Sequence, residues 1–123
     1  MTDQSSREHA RSPQDLERLL VVRQWAGQVS AMADLYEADA VVDCADGRRL
    51  EGREAIRKYF AAYTATGRKF QSGAQQPAVI AGDLALTSTR LPDGTVTAEV
   101  ARRQPDGTWL WVIDRFAIAR ESQ

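Results

Sequence analysis

The chain has 123 residues, is 43% hydrophobic and carries a formal net charge of −1. That is enough apolar content for one folded domain, too much for a disordered chain, and too little net charge to draw nucleic acid or an anionic membrane. One cysteine, Cys44, excludes an internal disulfide and points to a reducing, cytoplasmic setting; one histidine, His9, leaves no zinc site built on those ligands, no cofactor is called for, and no apolar run approaches the ~20 residues of a membrane span.

Residues 1–11 are polar and read as a disordered tail, with a single domain over 12–120. Ser12-Pro13 opens a helix, Ser12 as N-cap and Pro13 in the first turn. Its apolar stripe is Leu16, Leu19, Leu20, Val22 and Ala26, with Arg18 and Arg23 turned outward and Gly27 at its end. A shorter helix follows over Val29 to Tyr36, then a strand over Ala40 to Ala45. Asp46-Gly47 turns the chain back through Arg48 to Glu51. Arg53 to Ala65 is a third helix, because Ile56, Tyr59, Phe60 and Tyr63 recur at helical spacing. The stretch from Arg68 to Ile80 is mixed, with an irregular edge strand around Gly73 and Pro77. Leu84–Leu91, Thr95–Gln104 and Thr108–Arg120 then form a three-strand meander joined at Asp93-Gly94 and Asp106-Gly107. The order ααββαββββ, with helices segregated from a mostly antiparallel sheet, indicates the α+β class.

The last strand is apolar on both faces. Strict alternation puts Trp109, Trp111 and Ile113 on one side and Leu110, Val112 and Phe116 on the other. Helices cover one face; a second copy of the chain covers the other. The expectation is a homodimer through the face carrying Trp109, Trp111 and Ile113.

Leu35-Tyr36-Glu37-Ala38-Asp39-Ala40-Val41-Val42, Gly52-Arg53-Glu54-Ala55-Ile56 and Asp106-Gly107-Thr108-Trp109 together resemble the nuclear transport factor 2-like superfamily. Within it, the chain is similar to the small, stand-alone SnoaL-like bacterial proteins over about residues 13–119. The resemblance implies a cone-shaped α+β barrel of the cystatin-like kind, its curved sheet wrapped around helices, with a pocket at the wide end. One such fold carries both enzymes and non-enzymes, so function has to be argued from the site.

Strand alternation assigns side chains to that pocket. Val42 and Cys44 share one face of the first strand; Leu84, Leu86, Ser88 and Arg90 share one face of the next long one. Glu99 lies with Thr97 and Ala101, and Asp114 with Val112 and Phe116. The helices add Leu20, Tyr59 or Phe60, and Tyr63. The expected lining is largely apolar, suited to a small hydrophobic or carbonyl-bearing molecule. Set against the ketosteroid isomerase pattern, the base position falls on Cys44, the tyrosine position on Leu20 and the acid position on Glu99, so one of three is kept. Asp114 and Glu99 are the candidate catalytic acid and base, for isomerisation, cyclisation or dehydration without a cofactor. Arg90 is their electrostatic partner. The alternatives are a non-catalytic ligand-binding or dimerisation domain; Arg90 then pairs with Asp114 or Glu99 and only fixes the barrel, or anchors an acidic ligand.

Overall fold

Three turns of one construction set the course of the chain. In a computed structural model describing residues 8–119, each Asp-Gly pair closes a three-residue hairpin loop. Cys44, Leu91 and Gln104 each donate a backbone bond of 2.7 Å to the carbonyl four residues on. The aspartates Asp46, Asp93 and Asp106 accept the amide two residues on at 2.9–3.0 Å. The glycines sit at φ 93°, 89° and 86°, where a side chain is strained.

The elements are α1 (Asp15–Trp25), α2 (Val29–Ala33), β1 (Tyr36–Asp43), β2 (Arg49–Glu51), α3 (Arg53–Ala65), β3 (Ala74–Gln75), β4 (Val79–Ala81), β5 (Leu84–Thr87), β6 (Thr89–Arg90), β7 (Val96–Arg103) and β8 (Trp109–Ala119). One sheet runs β2-β1-β8-β7-β5-β4, with β6 on β7 and β3 on β6. β1 and β8 are parallel; the other pairs are antiparallel. Helices segregated from this sheet make the α+β class expected of the chain. α3 has the predicted bounds.

Two rows of side chains cross the inner face. Tyr36, Trp111, Ala101 and Ala85 are successive ladder partners, all buried, and the two alanines leave room for the two large rings. Val42, Asp114, Glu99 and Thr87 form the second row, also buried. The outer face carries an aliphatic row: Val79, Leu86, Val100, Ile113 and Val41. Val79, Leu86 and Ile113 are each more than half exposed, at 65%, 51% and 52%.

Several boundaries and faces differ from the sequence reading. The Ser12 side chain does not cap α1: its carbonyl accepts from Asp15, Gln14 holds the cap position, and the Asp15 carboxylate accepts from Arg11 N. Leu16, Leu19 and Leu20 are buried as expected, but Val22 and Ala26 are exposed. Arg23 faces inward instead, donating to the carbonyls of Ala31 and Glu8, and Gln24 ties α1 to the Arg68 and Phe70 backbone. α2 stops at Ala33, and Tyr36 begins β1. Ala10, assigned to the tail, is buried, and its carbonyl accepts from Trp109 N at 2.9 Å; residues 1–7 lie outside the described residues. β6 is separated from β5 at Ser88, and Gly73 is held against Arg90 O, where a Cβ would come within 2.5 Å.

The predicted dimer face is corrected as well. Trp109 and Trp111 are buried in the chain's own core, at 6% and 1% exposure. The cause is a bulge: Val100 pairs with Ile113 but Ala101 with Trp111, so Val112 is an extra residue. It reverses the parity of β8, and Trp109 and Trp111 thereby share the inner face with Asp114 and Phe116.

Candidate functional site

Glu99 and Asp114 are direct partners across the β7–β8 ladder, and both side chains are buried, at 4% and 3% exposure. They border a cavity of about 500 Å³ between the inner face of the sheet and the helices. From α1 come Glu17 and Leu20, one helical turn apart; from α3 come Tyr59, Phe60 and Tyr63. Phe70 and Phe116 complete an aromatic wall. Phe60 and Phe116 stack at 6.3 Å between centroids, Tyr59 meets Phe116 at 5.8 Å, and Tyr63 meets Phe70 at 5.0 Å. Exposed Arg68 and Lys69 lie at the mouth.

Each acid has a distinct environment. The Tyr36 hydroxyl donates to Asp114 Oδ2 at 2.6 Å, with both groups buried. Burial drives Asp114 well above the usual carboxylate range, the neighbouring Glu99 charge adds to this, and the tyrosine bond only partly offsets it. Glu99 is raised by burial too, but the hydroxyls of Thr97 and Thr87 favour its ionised form, Thr87 donating to Oε1 at 2.7 Å. Glu17 is pushed up to about 7 by desolvation and by Glu99, and among the described residues its carboxyl has no hydrogen-bond partner. The Tyr36 phenol is raised well above its ordinary value by burial first and then by Asp114. The trio is a graded set: burial raises all three, most strongly Asp114, while hydroxyls partly restrain the rise at Glu99 and Glu17 is pushed up to about 7. Such a set can accept and deliver a proton in an apolar cavity.

The structure brings Glu99, Asp114, Leu20, Tyr59, Tyr63 and Phe116 to one cavity. It does not bring Arg90, which is exposed and on the opposite side of β6 from buried Thr89. Neither predicted Arg90–acid pair forms. Ser88 is half-buried and donates to Thr97 O at 2.7 Å, away from the cavity lining. Both errors share one cause. β5 has Leu84 and Leu86 on one face and Ala85 and Thr87 on the other, and the narrow inner row takes the small pair. Cys44 is buried in the core, its thiol pushed up by burial, and it does not line the cavity. Glu17 and Tyr36 were missed. Glu17 was legible as an acid one turn before Leu20, on the apolar side of α1. Tyr36 was hidden by running α2 three residues too far. Among the described residues no cluster of His, Cys, Asp and Glu has the arrangement of a metal site.

The sequence model of the SnoaL-like domain matches residues 17–122. No curated protein matches the chain. Among solved structures, a protein of unknown function from Mycobacterium tuberculosis is similar at a TM-score of 0.72 and 17% identity, over 89% of this chain and 74% of that one. A nuclear transport factor 2-like protein with a cystatin-like fold from Novosphingobium aromaticivorans is similar at 0.59 and 21% identity, over 82% and 75%. A putative ketosteroid isomerase from Parabacteroides distasonis is similar at 0.54 and 17% identity, over 79% and 83%. At these identities the likeness is one of fold.

Proposed function

The chain belongs to the SnoaL-like domain family, and on that footing we propose that it takes a small, largely apolar molecule into the cavity and moves a proton on it without a cofactor. The observation that carries this reading is the convergence of Glu17, Glu99 and Asp114 on one aromatic-walled cavity. Asp114, held through Oδ2 by Tyr36, offers its other oxygen, when protonated, as a hydrogen-bond donor to an oxygen of the ligand. Glu99 and Glu17 are the candidate bases. The reaction class is proton transfer next to a carbonyl, as in isomerisation, cyclisation or dehydration. The likeness in fold to a putative ketosteroid isomerase is in keeping with it. Cys44 and Leu20, in place of the isomerase base and tyrosine, mean that the chemistry rests on a different set of residues.

The test is deuterium incorporation from heavy water into a small bicyclic ketone such as β-tetralone, followed by NMR. The expected result is exchange faster than in buffer, lost in Asp114→Ala, which removes the donor, and reduced in Glu99→Gln. Equal exchange in wild type, both variants and buffer would contradict catalysis and leave the non-catalytic alternative.

We also propose that two copies pair through the outer sheet face. What supports this is the row Val79, Leu86, Val100, Ile113 and Val41, an apolar strip in which Val79, Leu86 and Ile113 stay exposed among the described residues.

A further inference from the structure

We propose that the molecule the cavity takes carries a protonated amine, with its apolar body against the aromatic wall and its ammonium among Glu17, Glu99 and Asp114. This rests on the pocket reading above and narrows it to a ligand class.

Charge placement is the first reason. The described ion pairs engage acids elsewhere, such as Asp43, Asp46 and Asp83, and none involves the three cavity acids. Thr87 and Thr97 nonetheless supply hydroxyls to Glu99, an arrangement that favours an anion in a buried place. Glu17 lines the same space with no hydrogen-bond partner for its carboxyl among the described residues. A buried anion without a counter-charge is costly, and an incoming ammonium removes that cost.

The two cations at the mouth do not serve this role. The Arg68 guanidinium lies over the Tyr63 ring at 5.7 Å, and Lys69 Nζ over Trp25 at 5.8 Å. Both are exposed, whereas Glu99 and Asp114 are buried. The cavity is therefore polarised: Glu17, Glu99 and Asp114 lie inside, while the exposed rim carries both signs, with Arg68, Lys69 and Asp93. An anionic ligand would meet three acids and no guanidinium at depth. A neutral ligand would bring no counter-charge to these carboxyls, which form no ion pair among the described residues.

The wall is the second reason. Tyr59, Phe60, Tyr63, Phe70 and Phe116 form a continuous set of rings. Aromatic faces attract cations more strongly once water is excluded. Arg48 over Tyr59 at 5.0 Å and Arg68 over Tyr63 already use ring faces of this wall in that way. Aromatic rings combined with desolvated carboxyls select an organic ammonium over an alcohol of the same shape.

Three probes share an indole body and differ in charge: tryptamine, tryptophol and indolepropionate. Calorimetric titration at neutral pH should rank tryptamine at least about tenfold tighter than tryptophol, with indolepropionate weakest. Glu17→Gln and Glu99→Gln should each weaken tryptamine about fivefold or more and leave tryptophol unchanged. Tryptophol binding as tightly as tryptamine would overturn the amine assignment while leaving the pocket standing. So would equal losses for both compounds in the glutamine variants, or tightest binding by indolepropionate. Absence of binding by all three would remove the amine assignment and the pocket reading together.

Discussion

Glu99 and Asp114 face each other across neighbouring strands, with both side chains on the inner face and no described ion pair to either. Two acids placed so close cannot both ionise cheaply. The fold accommodates them by giving them unlike surroundings: a tyrosine hydroxyl for Asp114, threonine hydroxyls for Glu99. The proposed ligand choice and reactivity both rest on that asymmetry.

Glu17 makes stability depend on pH. Its folded-state value is pushed up to about 7 from 4.5, so the folded chain binds the proton more tightly than the unfolded chain. The associated stability is fully present below about pH 4.5 and is lost as pH rises through about 7, by at most about 3 kcal/mol. Glu17→Gln should flatten this slope in urea unfolding between those limits. An unchanged slope would mean that the carboxyl is solvated.

Tyr36→Phe removes the donor to Asp114 Oδ2. The variant should lose about 1–3 kcal/mol of unfolding free energy, because a buried acceptor loses its described partner. It should also weaken any activity that depends on the orientation of Asp114. A loss below about 0.5 kcal/mol would show that the bond adds little beyond packing.

The outer face and the inner tryptophan predict opposite phenotypes. If two copies pair as proposed, wild type should scatter as a dimer and Leu86→Lys or Ile113→Lys as a folded monomer, since both residues are exposed within one chain. Trp111→Ala should instead destabilise the chain by about 3–5 kcal/mol, because Trp111 is a core residue packed on Tyr36 at 5.0 Å. A wild-type monomer at micromolar concentration would end the dimer proposal.

Deleting Val112 should be far worse than Val112→Ala. The deletion removes the extra residue, so Trp109 and Trp111 can no longer share a face with Asp114 and Phe116 without breaking the ladder. The deletion variant should fail to give a cooperative thermal transition. Val112→Ala should keep one, with the midpoint lowered by only a few degrees, about what a loss of ~1 kcal/mol produces.

Legibility in the sequence followed physical uniqueness. The Asp-Gly turns, α3 and the α+β order rest on signals with one good solution: positive φ at glycine, or four large apolar residues at helical spacing. Leu20, Tyr59, Tyr63, Glu99, Asp114 and Phe116 could be gathered for the same reason. Their elements have one apolar face, or they sit beyond the β8 bulge, where parity counted from Phe116 is correct. Ser88 and Arg90 failed because β5 offers apolar residues on both faces, so hydrophobicity does not choose between them. Trp109 and Trp111 failed because a bulge has no reliable mark in a strand this apolar. Glu17 was given no role, although its spacing to Leu20 already placed it toward the apolar side of α1.

Carboxyl-carbon NMR of the Glu and Asp side chains across a pH titration tests the shared acid centre most directly. Asp114 should stay protonated well above the usual carboxylate range, and Glu99→Gln should move its titration toward ordinary values, because the neighbouring charge is gone. Ordinary, mutually independent titration of Glu99 and Asp114 would contradict the account, since two such acids would be standing in water.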